Sequence, residues 1–443
     1  MIRVRIALTP AGHLFLGSTR VALANFLHAR RHRGTITLRF DDLDAERCRP
    51  EFADSMRRDL EWFGVGWDAC EQQSLRLSHY QDAIERLKAT GRLYPCFESE
   101  EELRAKADQR RKRGRAVIYD REMLRLTEAQ RQAAEAGGKR PYWRFRLSDG
   151  EVRWKDMITG PGQAKLTAVS DPILVKADGT PMPVLAGVVD DLDLGITHMI
   201  LGEDSEANTG VQIDLRAALA PKAPPPLFAH VPNLIEAGSG RSRHKPGAMT
   251  IRALRGDGFV AAALAAYLSG AGGEATELPS ATVDRAAGFN LRALRPLTFD
   301  TGALLALNRR AIASLSHAVV ADQLPPGTTE AFWLAIRGDI DLLNEARGWW
   351  DVVAGTIVPP VLPGEAPLLR RAADVLPTEP WTPGIGPAWI AAITSAAERA
   401  EDEVRSVLYQ ALTGEDHGPA LDALLPLMGR ARVLQRLDAA AIG

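Results

Sequence analysis

The stretch that decides the fold runs Arg3-Val-Arg-Ile-Ala-Leu-Thr-Pro-Ala-Gly-His-Leu-Phe-Leu-Gly-Ser-Thr-Arg20 and resumes, after a helical segment, as Thr35-Ile-Thr-Leu-Arg-Phe40. Residues 2–8 alternate as a short strand, and Thr9-Pro10-Ala11-Gly12 breaks it. From Ser18 the period changes: Val21, Ala24, Leu27 and Ala29 recur near one helical face until Gly34 stops the run. Thr35–Phe40 reads as a second strand. Strand, glycine turn, helix, strand is a βαβ unit, so the chain opens with a parallel α/β domain. Ligands of such sheets sit beyond the carboxyl ends of the strands, which points to the loops Thr9–Gly17 and Asp41–Asp44.

Working outward, residues 51–64 and 79–91 read as amphipathic helices, and Cys96 to Lys139 as polar and helical. Within that stretch, Arg110-Arg-Lys-Arg113 is either a contact for RNA phosphates or a solvated helix face. Strands are expected at 142–147, 151–154 and 172–175. A second α/β stretch runs from Val184 to about Ala220, with Pro224-Pro225-Pro226 as a boundary. After Ala248 the strand signal fades. Residues 257–270, and nearly everything from 300 onward, alternate helical patterns with proline-rich breaks at 358–363 and 376–387. The expected architecture is an α/β catalytic domain interrupted by an inserted α+β subdomain and followed by an all-helical region.

Composition narrows the class. The 443 residues are 46% hydrophobic and 25% charged, the balance of a soluble chain with more than one core. A net charge of -2 gives no global attraction for nucleic acid, so RNA binding would need local basic patches. Cys48, Cys70 and Cys96 contain no C-x-x-C pair, which fits neither a disulfide framework nor structural zinc; no metal site is expected. The opening strand is no signal peptide and no apolar run reaches membrane-spanning length, so the expected setting is cytosolic, with no membrane partner.

Several stretches together resemble one family. Arg5–Arg20 looks like the R-F-A-P-S-P-T-G-x-L-H-x-G-x-x-R opening of glutamyl-tRNA synthetases, which are class I aminoacyl-tRNA synthetases. Leu38-Arg-Phe-Asp-Asp-Leu-Asp-Ala-Glu-Arg47 resembles their L-R-x-[ED]-D-T-D-x-E-R. Ser170–Pro181, Val188-Val-Asp-Asp191, Ile196–Asp204 and Ala411–Pro419 are similar to later parts of the same chains, in the same order. The resemblance implies a Rossmann-like catalytic domain in two halves, 1–92 and 179–235. It further implies an acceptor-binding-like insert at 93–178, a KMSKR-loop and stem-contact region at 236–300, and a helical anticodon-binding-like region at 301–443. It also implies ATP with Mg, an amino acid or small carboxylate, tRNA, and a monomer.

Residue by residue, the resemblance is uneven. Arg5 matches a substrate-carboxylate arginine and Asp41 the acidic residue near the substrate amino group; Thr9 stands for serine, and Gly12 and Gly17 keep close backbone approach to a ligand. Phe15 replaces the first histidine of the HIGH motif, with His13 two residues earlier. The KMSKR region reads Arg241-Ser-Arg-His-Lys-Pro-Gly247. Ungapped, His244 and Lys245 fall on Lys-Arg; a one-residue gap instead matches Ser242 and Arg243. Pro183 replaces a tyrosine, Leu201 an arginine, and Arg399-Ala-Glu-Asp-Glu403 a basic stretch. Phenylalanine and leucine offer no donor to an anion, and one lost oxyanion donor costs about 10²–10³ in rate. The expectation is therefore a divergent relative that charges tRNA poorly and serves as a nucleotide-, RNA- or protein-binding accessory. The alternatives are a working glutamate–tRNA ligase, or a ligase for another amino acid or a non-tRNA acceptor.

Overall fold

The computed structural model describes residues 1–236, 249–270, 282–382 and 384–442. The opening follows the sequence pattern: β1 (Arg3–Leu8), α1 (Leu16–Arg31) and β2 (Thr35–Phe40) form a crossover unit whose strands pair in parallel from Arg3↔Thr35 to Leu8↔Phe40. Val4, Ile6 and Leu8 are buried on one side of β1. α1 ends where Arg33 turns to a left-handed φ of 52° and the Gly34 amide returns to the Ala29 carbonyl. Next, α2 (Pro50–Trp62) begins on a proline whose missing N–H the first turn does not need. β3 (Ala69–Gln72) adds to β2 in parallel, and α3 (Leu77–Ala89) follows.

The chain then leaves the sheet. β4 (Leu93–Cys96) leads to α4 (Glu100–Lys112) and α5 (Glu128–Ala136), each opened by a capping box, Ser99 with Glu102 and Thr127 with Gln130. The polar stretch is thus two capped helices with irregular chain between them. β5 (Tyr142–Phe145) pairs antiparallel with β4 and with β8 (Ile173–Val175). A hairpin of β6 (Glu151–Asp156) and β7 (Gly160–Lys165) lies between them in sequence. The glycine-rich β7 gives little periodic signal. Gly162 is required there, since a Cβ would sit 2.2 Å from the Trp154 indole.

α6 (Pro183–Asp193), β9 (His198–Gly202), α7 (Thr209–Leu219) and β10 (Leu227–Val231) follow, with β9 and β10 parallel from His198↔Leu227 and β10 parallel to β6 at Phe228↔Asp156. The three prolines at 224–226 are therefore no boundary: the chain runs straight from them into a central strand, where proline at the entry costs no ladder bond. The Thr197 amide donates to the Arg3 carbonyl at 3.0 Å, setting β9 beside β1. Two hydrogen-bonded sheets result, β3-β2-β1 and β9-β10-β6-β7, adjoining where β1 meets β9, the place at which strand order reverses. A core of Tyr80, Leu87, Phe145, Leu174, Leu185, Val189 and Leu215 packs α3, α6 and α7 over the antiparallel strands. A short parallel pair, β11 (Leu234–Glu236) with β12 (Leu297–Phe299), closes this unit.

The second compact unit comprises Ala253–Tyr267 and residues 300–442, and its described residues form helices without strands. Its interior holds Trp333 and Trp389, whose indole N–H groups donate to the carbonyls of Leu315 and Ala372. No helix among the described residues is long and apolar enough to cross a membrane.

Candidate substrate pocket

A cavity of about 410 Å³ opens between β1 and β9, where the sheet reverses. Its charged lining is Arg5, Arg39, Asp41, Asp191 and Asp204; Gly17, Ser18, Val21, Pro183, Gly187, Leu201 and Gln212 are among the rest.

Two adjacent carboxylates on α6 organise its floor. Asp191 faces the strands: its Oδ1 accepts from Arg5 Nε at 2.9 Å and from Arg39 Nη1 at 3.1 Å. Asp190, one position earlier, faces α3 and accepts from Gln73 at 2.9 Å, Arg76 at 2.8 Å and Tyr80 at 3.0 Å. Arg39 also holds Asp41 by both oxygens, at 2.7 and 3.2 Å. Burial disfavours the Arg39 cation, but Asp41, then Asp191 and Asp190, more than offset it, and its pKa is raised. This guanidinium stays charged and fully engaged.

Arg5 is different. It is 4% exposed, yet its two terminal nitrogens make no hydrogen bond among the described residues. A charged fork fixed at Nε and open at its tips is prepared for a carboxylate or phosphate. Nearby, Gly17 and Ser18 sit in the first turn of α1, where backbone N–H groups have no intrahelical acceptor. The two features face one cavity, suited to a ligand carrying two separate anionic groups.

The cavity gathers five of the residues read from sequence: Arg5, Gly17, Asp41, Pro183 and Leu201. Pro183 is the first residue of α6, and Leu201, near the end of β9, packs partly buried against Ile196, Met199 and Phe228. Four others lie apart. Thr9 is exposed in the turn after β1, and Gly12 lies in the same loop. His13 is held by α2, with Nδ1 3.1 Å from Ser55 Oγ and its ring edge-on to Phe52. Phe15 is the N-cap of α1, and its backbone bridges to Thr250. Arg241, Ser242, Arg243, His244 and Lys245 lie outside the described residues.

Sequence reasoning gave no role to Arg39, Asp191, Gly187 or Gln212. A charged residue inside a buried strand and an acidic pair in an apolar helix were the signals available for the first two. Elsewhere, Glu98, Asp120 and Glu122 converge closely enough to hold a cation, and Lys106 Nζ already sits 2.9 Å from Glu98 and 2.5 Å from Glu122.

Comparison with known proteins places these features in a family. The profile of the tRNA synthetases class I (E and Q), catalytic domain, matches residues 1–281. The chain is 48% identical over 440 residues to a protein named Glutamate--tRNA ligase 2 from Granulibacter bethesdensis, covering 99% of this chain and 98% of that one. It is 48% identical over 443 residues to a protein of the same name from Acidiphilium cryptum, covering all of both. The crystal structure of the glutamate-tRNA synthetase from Elizabethkingia anophelis superposes with a TM-score of 0.82 over 99% of each chain at 20% identity, a likeness of fold. With this profile match and full-length relatives so similar, the chain belongs to the glutamyl-tRNA synthetase family of class I aminoacyl-tRNA synthetases.

Proposed function

We propose that the protein is an ATP-dependent ligase that joins an amino acid to tRNA, with glutamate, the substrate in its relatives' names, as the first candidate. The observation that carries this reading is the Arg5 fork, buried against Asp191 and open toward the first turn of α1 across a single cavity. In this reading Arg5 takes a substrate carboxylate, and Asp41, held by Arg39, accepts from the substrate ammonium. The Gly17 and Ser18 amides stabilise phosphate charge. The amino-acid carboxylate attacks the α-phosphate of ATP and pyrophosphate leaves, its charge offset by Mg when bound; the acyl group then passes from the adenylate to a ribose hydroxyl of tRNA, and AMP leaves. The chain's own part is positioning and charge stabilisation, which needs no nucleophilic side chain.

The segment assignments follow the same reading. Residues 1–92 and 179–235 carry the chemistry, 93–178 takes the acceptor end, 236–300 supplies the basic loop, and 301–443 meets the anticodon side of tRNA. The comparisons favour a working ligase over a chain that has lost charging, since relatives at 48% identity over their full length bear the ligase name. Purified protein is tested for glutamate-dependent ATP–pyrophosphate exchange with tRNA present, and for acid-precipitable glutamyl-tRNA. Absence of both with every host tRNA rejects the assignment.

A second reading rests on the lining away from Arg5. Val21, Val184, Leu201 and Met199 make that part of the cavity apolar, which favours an amino acid with an uncharged side chain. The same exchange assay run across an amino-acid panel separates the two: glutamate as the best substrate removes the second reading.

A further inference from the structure

A second cavity, of about 450 Å³, lies at the other end of the central sheet, by the amino-terminal ends of β1 and β9 and the last turn of α1. Its polar lining is dominated by five cationic or titratable side chains, His28, Arg31, His32, His198 and Arg292, and among the described residues no carboxylate lines it. His28 and His32 are one helical turn apart on α1 with ring centroids 4.7 Å apart, and His198 from β9 stands 5.4 Å from His28. Arg31 reaches across to the Phe289 carbonyl, which ties the segment after residue 281 to this wall. The Arg292 side chain, exposed at the rim, makes no hydrogen bond among the described residues.

Two observations mark this as more than a solvated basic face. His28 is only 8% exposed, and its buried Nε2 has no hydrogen-bond partner among the described residues. A buried nitrogen left unpaired is costly. In addition, the described residues that line the cavity supply no counter-charge. Burial first, then His32, His198 and Arg31, pushes the His28 pKa down to about 4, and burial, His32 and the chain's amino terminus lower that of His198. A metal ion does not answer the description. Among the described residues only Glu98, Asp120 and Glu122 converge to metal-binding distance, and Arg31 and Arg292 would repel a cation.

We propose that this cavity is a binding site for a small phosphate-bearing anion of the size of pyrophosphate, held by Arg31, Arg292 and the imidazole N–H groups of His32 and His198, with the His28 ring behind them. The site is separate from the substrate pocket: the two share no lining residue. An oxyanion there would offset the mutual repulsion of the cluster.

The test uses the full chain and inorganic pyrophosphate. Histidine ring resonances are followed by NMR while calorimetry counts binding events, in wild type, Arg292→Ala, Arg292→Ala/His32→Ala and Arg5→Ala. Both rim positions are exposed, and circular dichroism checks that the variants stay folded. The expected result is a saturable shift of the His28 and His198 resonances. It weakens about tenfold or more in Arg292→Ala, the loss of one charge-assisted contact, and persists in Arg5→Ala. Resonances that stay unmoved at millimolar pyrophosphate, or variants at the rim that titrate like wild type, overturn the proposal. An added tRNA that displaces pyrophosphate from these resonances identifies a backbone phosphate as the source, and one that leaves them unmoved identifies a free anion.

Discussion

Arg5 Nε and Asp191 Oδ1 meet at 2.9 Å with both side chains 4% exposed, joining residues 186 positions apart in sequence. Breaking one side of such a pair strands the other charge. Asp191→Ala is expected to destabilise the protein by about 3–5 kcal/mol, and Arg5→Met/Asp191→Leu by less than the sum of its single changes. Urea or thermal unfolding of the four proteins measures the coupling; strictly additive losses would refute the pairing.

Arg5→Lys keeps the charge but removes the planar fork. The KM for the amino acid should rise about tenfold or more while the protein keeps its melting temperature within a few degrees. An unchanged KM would take Arg5 out of substrate binding.

Leu201 sets the character of the pocket wall beyond Arg5. Leu201→Arg is expected to lower the KM for glutamate by about tenfold, the worth of one charge-assisted bond to its second carboxylate. Amino-acid-dependent pyrophosphate exchange reads this directly. If glutamate use does not improve, its side chain lies elsewhere in the cavity.

His28 makes stability depend on pH in the mildly acid range. Its folded pKa of about 4 lies below the ordinary 6.5, so the unfolded chain binds the proton more readily. Stability is therefore full above pH 6.5 and falls as the pH drops toward 4, by on the order of 3 kcal/mol. A His28→Gln variant should show a flatter decline of melting temperature between pH 7 and 5. Parallel curves would refute this.

Asp156 acts at lower pH. Burial opposes its charge, but His230 and the amides of Thr159 and Ile158 prevail and hold its pKa at about 2 against the usual 3.8. Its contribution, about 2 kcal/mol, is present above pH 3.8 and lost as the pH falls through 2. At neutral pH Asp156→Ala should cost about 3 kcal/mol or more, because it leaves buried donors unpaired. A loss under 1 kcal/mol in chemical unfolding would count against this account.

The fold was legible because its signals are local. The change from period two to period 3.6 at Ser18, and the stop at Gly34, are printed in adjacent residues. Where local signals were weak, structure departed: β7 is glycine-rich, and three prolines precede β10 without interrupting it. The site was legible where the resemblance to the synthetase motifs fell on a residue that lines the cavity. Arg5, Asp41 and Leu201 were found in this way. Asp191 was not given a role, because its meaning lies in two arginines on strands far back in the chain. His13 lies apart from the cavity, its ring held by Ser55 and Phe52 of α2.

The hairpin of β6 and β7 lies in the segment between α3 and α6, and by its place in the chain it looks like a detachable cassette, although β6 pairs in parallel with β10 at Asp156↔Phe228. Asp156 says otherwise. Its carboxylate receives both the backbone N–H and the Nδ1 of His230, whose Nε2 meets Thr209, so an interior imidazole of the parent sheet is completed by the guest segment. Transplanting or trimming this insert between relatives must carry the aspartate along or exchange the histidine at the same time. The two parts can diverge in length and surface, but at that point they are bound to change together.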